Sequence, residues 1–155
     1  MIEVKRLEGY DEGLAAEMGR LTTFVSSHGG YDGRPLTRGW MEEVIKSPYH
    51  DELLAFDGDK LVGMAMMSIV FVPSYGRNAY LEELVVDEAC QGKGVGSLLW
   101  NAILEWGREK GARRLEFSAS GNSAKKAKAV EFYLHKGAGI HQTNFFRYEL
   151  GGGDE

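Results

Sequence analysis

Apolar positions recur along this chain with two different periods. Residues 2–7 alternate apolar and polar, the pattern of a half-buried strand. Leu14, Met18, Leu21 and Val25 then follow at three- and four-residue steps, which predicts a helix over 10–27. Residues 26–35 hold three glycines and a proline and read as a loop. A short helix is expected over 37–46, with Thr37 as its N-cap. Residues 52–57 and 60–71 predict a hairpin around Asp57-Gly58-Asp59. Its second arm is almost continuously apolar, as a central strand would be. A turn at 73–78 leads to a strand over 80–86. Val95, Leu98, Leu99, Ala102, Ile103 and Trp106 mark one face of a helix over 95–110, stopped by Gly111. A strand over 114–119, a helix over 123–136 and a closing strand over 143–150 complete the order. Residues 1–150 are expected to form a single domain, with 151–155 a disordered tail. The order is that of an α/β (α+β) fold. A crossover through the 95–110 helix makes strands 80–86 and 114–119 parallel.

The junction between strand 80–86 and the next helix carries the chemistry. Gly92, Lys93, Gly94 and Gly96 stand where good helix formers are expected. Glycine costs roughly 1 kcal/mol in a helix, so another requirement must favour it. Close approach of an anion to the unpaired first N–H groups of a helix is one such requirement. The phosphate-loop pattern fails here, because no Gly-Lys-Ser/Thr triplet follows the needed gap. The dinucleotide pattern fails as well, since the three glycines are spaced by two throughout.

Gln91-Gly92-Lys93-Gly94-Val95-Gly96 instead resembles the Q/R-x-x-G-x-G/A loop of the GNAT superfamily of N-acetyltransferases. A second block, Glu131-Phe132-Tyr133-Leu134-His135-Lys136-Gly137-Ala138, resembles that family's late F-Y-x-x-x-G-F segment. It departs from the pattern at Ala138, where Phe is usual. Asn122 also stands further before Tyr133 than the family's usual asparagine. The resemblance implies a mixed, mostly antiparallel sheet with flanking helices and a splayed parallel strand pair. It implies acetyl-CoA as co-substrate, held between those strands. Gln91, Gly92, Lys93, Gly94, Val95, Gly96 and Ser97 would cradle its pyrophosphate. Leu84, Val85 and Val86 would hold its pantetheine arm along the strand. Dimers are common in the family, so a homodimer is one expectation.

Acetyl transfer to an amine needs a base, because a lysine-like amine has an unperturbed pKa near ~10.4. Glu82 is the first candidate and Glu83 the second. Consecutive strand residues point to opposite faces, so one of the two is expected merely to face solvent. A carboxylate within this apolar strand should be partly desolvated, which raises its pKa. By the resemblance, Tyr133 would protonate the departing thiolate. Tyr31, in the loop where this fold often shapes the acceptor site, is a candidate substrate contact.

Composition narrows the partners. The chain has 155 residues, 18 basic and 23 acidic, for a net charge of −5. That balance speaks against nucleic-acid binding, which needs a basic surface, and suits a cationic acceptor. The acceptor would be a small-molecule amine or a protein amine. No apolar run reaches the length of a membrane span. The single cysteine fits a reducing compartment, and the cytoplasm is the expected location. The histidines show no ligand spacing, so no metal is expected. The alternative to an enzyme is a non-catalytic acyl-CoA-binding sensor or structural module. Glu82, Glu83 and Tyr133 together favour catalysis.

Overall fold

The alternating start of the chain forms β1 (Ile2–Arg6), which pairs antiparallel with β2 (His50–Asp57). The computed structural model describes residues 1–25, 30–119 and 124–152. Residues 26–29 of the expected loop, Asn122 and the last three residues of the tail lie outside them. The chain divides into two compact units, Met1–Ser118 and Ala119–Glu155. Each is described by itself.

In the first unit, β2 turns through Gly58 into β3 (Lys60–Val72). Gly58 has φ +61°, the left-handed value that the first position of a tight hairpin requires. β3 pairs antiparallel with β4 (Gly76–Val86), and β4 pairs parallel with β5 (Leu115–Glu116). The sheet order is β1-β2-β3-β4-β5. This is the mixed, mostly antiparallel sheet with one parallel pair that the resemblance implies.

Helix α1 (Glu12–Thr22) starts at Asp11, whose carboxylate accepts from the Leu14 amide at 2.8 Å. It ends earlier than its apolar spacing predicts. The Thr22 and Thr23 hydroxyls donate back to the carbonyls of Met18 and Arg20 at 2.8 and 2.6 Å. Such local bonds compete with helix continuation. Helix α2 (Arg38–Lys46) begins at Thr37 as expected, with its hydroxyl accepting from the Trp40 amide at 3.1 Å.

α1 and α2 bury Ala15, Met18, Leu21 and Met41 with Leu54, Leu61, Met64 and Val85 of the sheet. Helix α3 (Val95–Glu109) covers the other face with Val95, Leu99, Ile103 and Trp106. Gly63 marks that contact, since a Cβ there would stand 2.9 Å from Val95 Cγ1. The Trp106 indole donates to Asp51 Oδ2 at 2.6 Å, which ties α3 to β2. Helix α3 gives way to a turn at Gly111, where φ is +75°.

β5 is much shorter than the 114–119 strand expected. Among the described residues its partners are Ala79 and Tyr80. Asn78, itself buried, donates to Glu116 at 2.5 Å and accepts from Arg114 at 3.3 Å, holding that end of the pair together. Beyond Tyr80 the outer edge of β4 has no strand partner among the described residues.

The second unit contains α4 (Ala124–His135), closed by Gly137 at φ +91°. The closing strand expected over 143–150 is absent. Those residues are irregular, and Phe145, Phe146, Tyr148 and Leu150 are exposed. β-propensity describes fit to a neighbouring strand, and this unit has no strand among its described residues. Gly151 and Gly152 are irregular and exposed.

Candidate active site

The β3–β4 ladder slips by one residue at its centre. Met66 pairs with Glu83 and Met67 with Leu81, so Glu82 is an extra residue with no opposite number. Such a bulge bends its strand and re-aims a side chain. Met66 and Ser68 share one face of β3, two residues apart. Glu83 lies opposite Met66, and the Ser68 hydroxyl donates to Glu82 Oε1 at 3.4 Å. Both glutamates therefore serve one face, the side covered further along by α1 and α2. Opposite faces, expected from strand alternation, is corrected by the bulge. Glu82 is exposed and Glu83 half-buried, so the desolvation expected within the strand does not fall on Glu82.

It falls on Glu52, which the sequence reading missed. Glu52 pairs with Met66 from the β2 side, which puts Glu52, Met66 and Glu83 in one row. It is 4% exposed, and its Oε2 has no hydrogen-bond partner among the described residues. Burial pushes its pKa well above the ordinary carboxyl value, and the negative charge of Glu83 adds to the effect. A signal was available. Glu52 is in phase with Leu54 and Phe56, residues that pack in or against the core. An acid at that phase of a strand breaks the pattern.

The end of β4 leads into the glycine loop through Asp87. Its carboxylate accepts from the Ala89 amide at 2.9 Å and from Arg20 at 2.8 Å, and stands 4.0 Å from Lys60. Burial acts to raise its pKa, but the Ala89 amide and the Arg20 charge outweigh burial and hold it low. A single 3₁₀ turn (Glu88–Cys90) follows. Gly92 and Gly94 then take φ +82° and +85°. Side chains strain at such angles, so these two glycines are required by the backbone path. Gly94 is the N-cap of α3 and offers no side chain to its first amides. Of the glycines expected in the first helical turn, Gly96 alone lies inside the helix. Gln91, Gly92, Lys93 and Gly94 are exposed, Gly96 and Ser97 half-buried, and Val95 is buried under Gly63. The loop thus presents backbone to solvent at a helix N-terminus. Leu84, Val85 and Val86 lie just before it, on the part of β4 past the β5 ladder.

Tyr133 lies on α4 in the second unit. It is half-buried, with its ring edge-on to Phe132 at 5.4 Å. Burial pushes its pKa up to about 12, so the phenol keeps its proton at neutral pH. Tyr31 is half-buried and spends its hydroxyl on the Arg34 carbonyl at 3.0 Å. The bond braces its own loop. Cys90 is a buried free thiol. Among the described residues, no group of three or more acidic, histidine or cysteine side chains could hold a metal ion, and no helix is long and apolar enough to cross a membrane.

The bulged β4, the glycine turn and an α3 without a side-chain cap follow one another along the chain. The chain belongs to the Acetyltransferase (GNAT) family, which it matches over residues 21–139. No curated protein matches it. Solved structures share the fold. An aminoglycoside acetyltransferase from an uncultured soil metagenomic sample, in complex with sisomicin, superposes with TM-score 0.79 at 19% identity, over 96% of each chain. The aminoglycoside N-acetyltransferase AAC(6')-Iy in complex with CoA gives TM-score 0.74 at 16% identity, covering 97% of this chain and 95% of that one. A transcriptional regulator from Bacillus halodurans C-125 gives TM-score 0.77 at 19% identity, covering 96% of this chain and 100% of that one.

Proposed function

We propose that this protein is an acetyl-CoA-dependent N-acetyltransferase for a small cationic amine, with residues 1–150 acting as one catalytic domain. The observation that carries the reading is the exposed glycine turn, with positive φ at Gly92 and Gly94, directly after the stretch of β4 whose outer edge has no strand partner among the described residues. Backbone amides of residues 91–97 bind the pyrophosphate, favoured by the start of α3. Leu84, Val85 and Val86 offer the pantetheine arm a free strand edge.

The amine arrives protonated. Glu82, exposed on the bulge, takes its proton directly or through water. The nitrogen attacks the thioester carbon, and collapse of the tetrahedral adduct breaks the C–S bond. The protonated Tyr133 phenol donates to the leaving sulfur. Two protons leave the nitrogen in total: one ends on the thiol and one in solvent. Glu83 lies next to Glu82 and helps to attract the cation.

The test is release of free thiol from acetyl-CoA across an amine panel that includes sisomicin and short diamines. The reading predicts acceptor-dependent thiol release. A second reading, a coenzyme-binding module without turnover, draws on the regulator among the fold neighbours. Saturable acetyl-CoA binding with no thiol release for any acceptor would favour it.

A further inference from the structure

One row of the sheet carries two acids on the α1–α2 face. Glu52 and Glu83 both pair with Met66, from opposite sides. Strands stand about 4.8 Å apart, so the row spans about 10 Å between the two Cα positions. The bulge adds Glu82 to the same face, beside Ser68. Acids gathered on a surface carry no assignment by themselves. Here one of them is more than nine-tenths buried, and its Oε2 has no donor among the described residues. Leaving such an atom unpaired costs roughly 1–3 kcal/mol. Its retention in a central strand calls for a donor supplied from outside.

We propose that Glu52 and Glu83 form a subsite for an ammonium group, in which Glu52 Oε2 accepts an N–H of the ligand, and that the acceptor class is therefore a di- or polyamine. The proposal rests on the N-acetyltransferase reading. The amine to be acetylated meets Glu82, and a second ammonium of the same molecule occupies the inner pair. Met66 is half-buried between the two acids. Its unbranched side chain is adaptable, so it can give way to a ligand seated between the two acids. A monoamine brings one positive charge to three acids, and a diamine brings two.

The site carries a proton signature. In the empty protein burial and the charge of Glu83 favour the protonated form of Glu52. An ammonium alongside favours the ionised form, so binding sends that proton to solvent. Other charged groups on the packed elements are engaged elsewhere or exposed. His50 bonds Ser47 at 2.8 Å, and Lys5 lies over Phe56. On α1, Arg20 pairs with Glu17 and Asp87. On α2, Arg38 and Lys46 pair with Glu42, and Glu43 is exposed.

Calorimetric titration of the full chain with diaminobutane, in two buffers of different ionisation enthalpy, counts the protons released. Near neutral pH, about one proton should leave per diaminobutane bound, as full ionisation of one group requires. Butylamine should bind at least about tenfold more weakly, the worth of one charge-assisted bond. Glu52→Gln should abolish the release and weaken diaminobutane about tenfold, and Glu83→Gln should weaken it similarly. Proton release that persists in Glu52→Gln, or equal affinity for the two amines, overturns the subsite. Diaminobutane binding without thiol release from acetyl-CoA keeps the subsite and removes the transferase reading. Thiol release indifferent to Glu52 and Glu83 does the reverse.

Discussion

Glu52 and Glu83 flank Met66 from the two sides of one sheet row, and the charge of Glu83 helps to keep the buried Glu52 protonated. This relationship ties the stability of the fold to the face on which the ammonium subsite is proposed.

Stability should reflect that proton. The folded pKa of Glu52 is raised, so between its unfolded and folded values the native state binds more protons than the unfolded state. Stability therefore falls as pH rises through that window. Its contribution is fully present below the ordinary carboxyl range, near ~4.3, and is lost as pH rises through the raised folded value. Glu52→Gln removes the ionisation and should melt higher than the parent at pH 8, by a few degrees, with the gain vanishing near pH 4. A shift of about 2–4 °C corresponds to roughly 1 kcal/mol at this size. Melting curves of both proteins across that range check it, and a gain that grows as pH falls would refute it.

The glycine turn should separate binding from chemistry. Gly92→Ala and Gly94→Ala each force a side chain into the left-handed region, at about 1–2 kcal/mol. Space is not the obstacle, since nothing lies within 4 Å of either added Cβ. The strain falls on the loop proposed to cradle the coenzyme. We expect the KM for acetyl-CoA to rise about tenfold or more, the equivalent of ~1.4 kcal/mol, with kcat less affected. Steady-state kinetics in acetyl-CoA measure both constants.

Gly19 tests the packing of the 30–36 segment against α1. A Cβ at Gly19 would stand 2.1 Å from the Arg34 carbonyl oxygen, which is backbone and cannot rotate away. Gly19→Ala should cost roughly 1–3 kcal/mol, as overpacking does. Urea unfolding of the variant gives the number directly. Tyr31 braces the same segment through the Arg34 carbonyl, so Tyr31→Phe should alter acceptor KM and leave acetyl-CoA affinity unchanged.

Tyr133 predicts the shape of the alkaline limb. With its pKa pushed up to about 12, the phenol remains an acid throughout the range in which the protein can be assayed. The kcat profile should carry no descending limb from this phenol up to pH 10. Tyr133→Phe should lower kcat about 100-fold, the lower end of general-acid contributions, with little change in coenzyme affinity. A descending limb near pH 8 that disappears in Tyr133→Phe would contradict this assignment.

Much of the scaffold was legible from periodicity and turn chemistry. The Asp57-Gly58-Asp59 hairpin, the Thr37 cap, the apolar face of α3 and its stop at Gly111 all lie where local rules put them. What escaped has physical reasons. Strict alternation placed Glu82 and Glu83 on opposite faces, and a bulge is an exception that alternation cannot announce. Glu52 read as the polar start of a strand, because its burial depends on partners in β3 and β4. The closing strand expected over 143–150 needs a neighbouring strand to pair with, which its own residues cannot supply. The glycine loop was readable because it follows from backbone angles that only its own residues determine.

The most direct test of the account is thiol release from acetyl-CoA with diaminobutane as acceptor, measured for the parent protein and for Glu82→Gln. The account predicts saturable turnover in the parent and a loss of at least about 100-fold in the variant, with acetyl-CoA binding intact. Turnover in Glu82→Gln equal to that of the parent would contradict it.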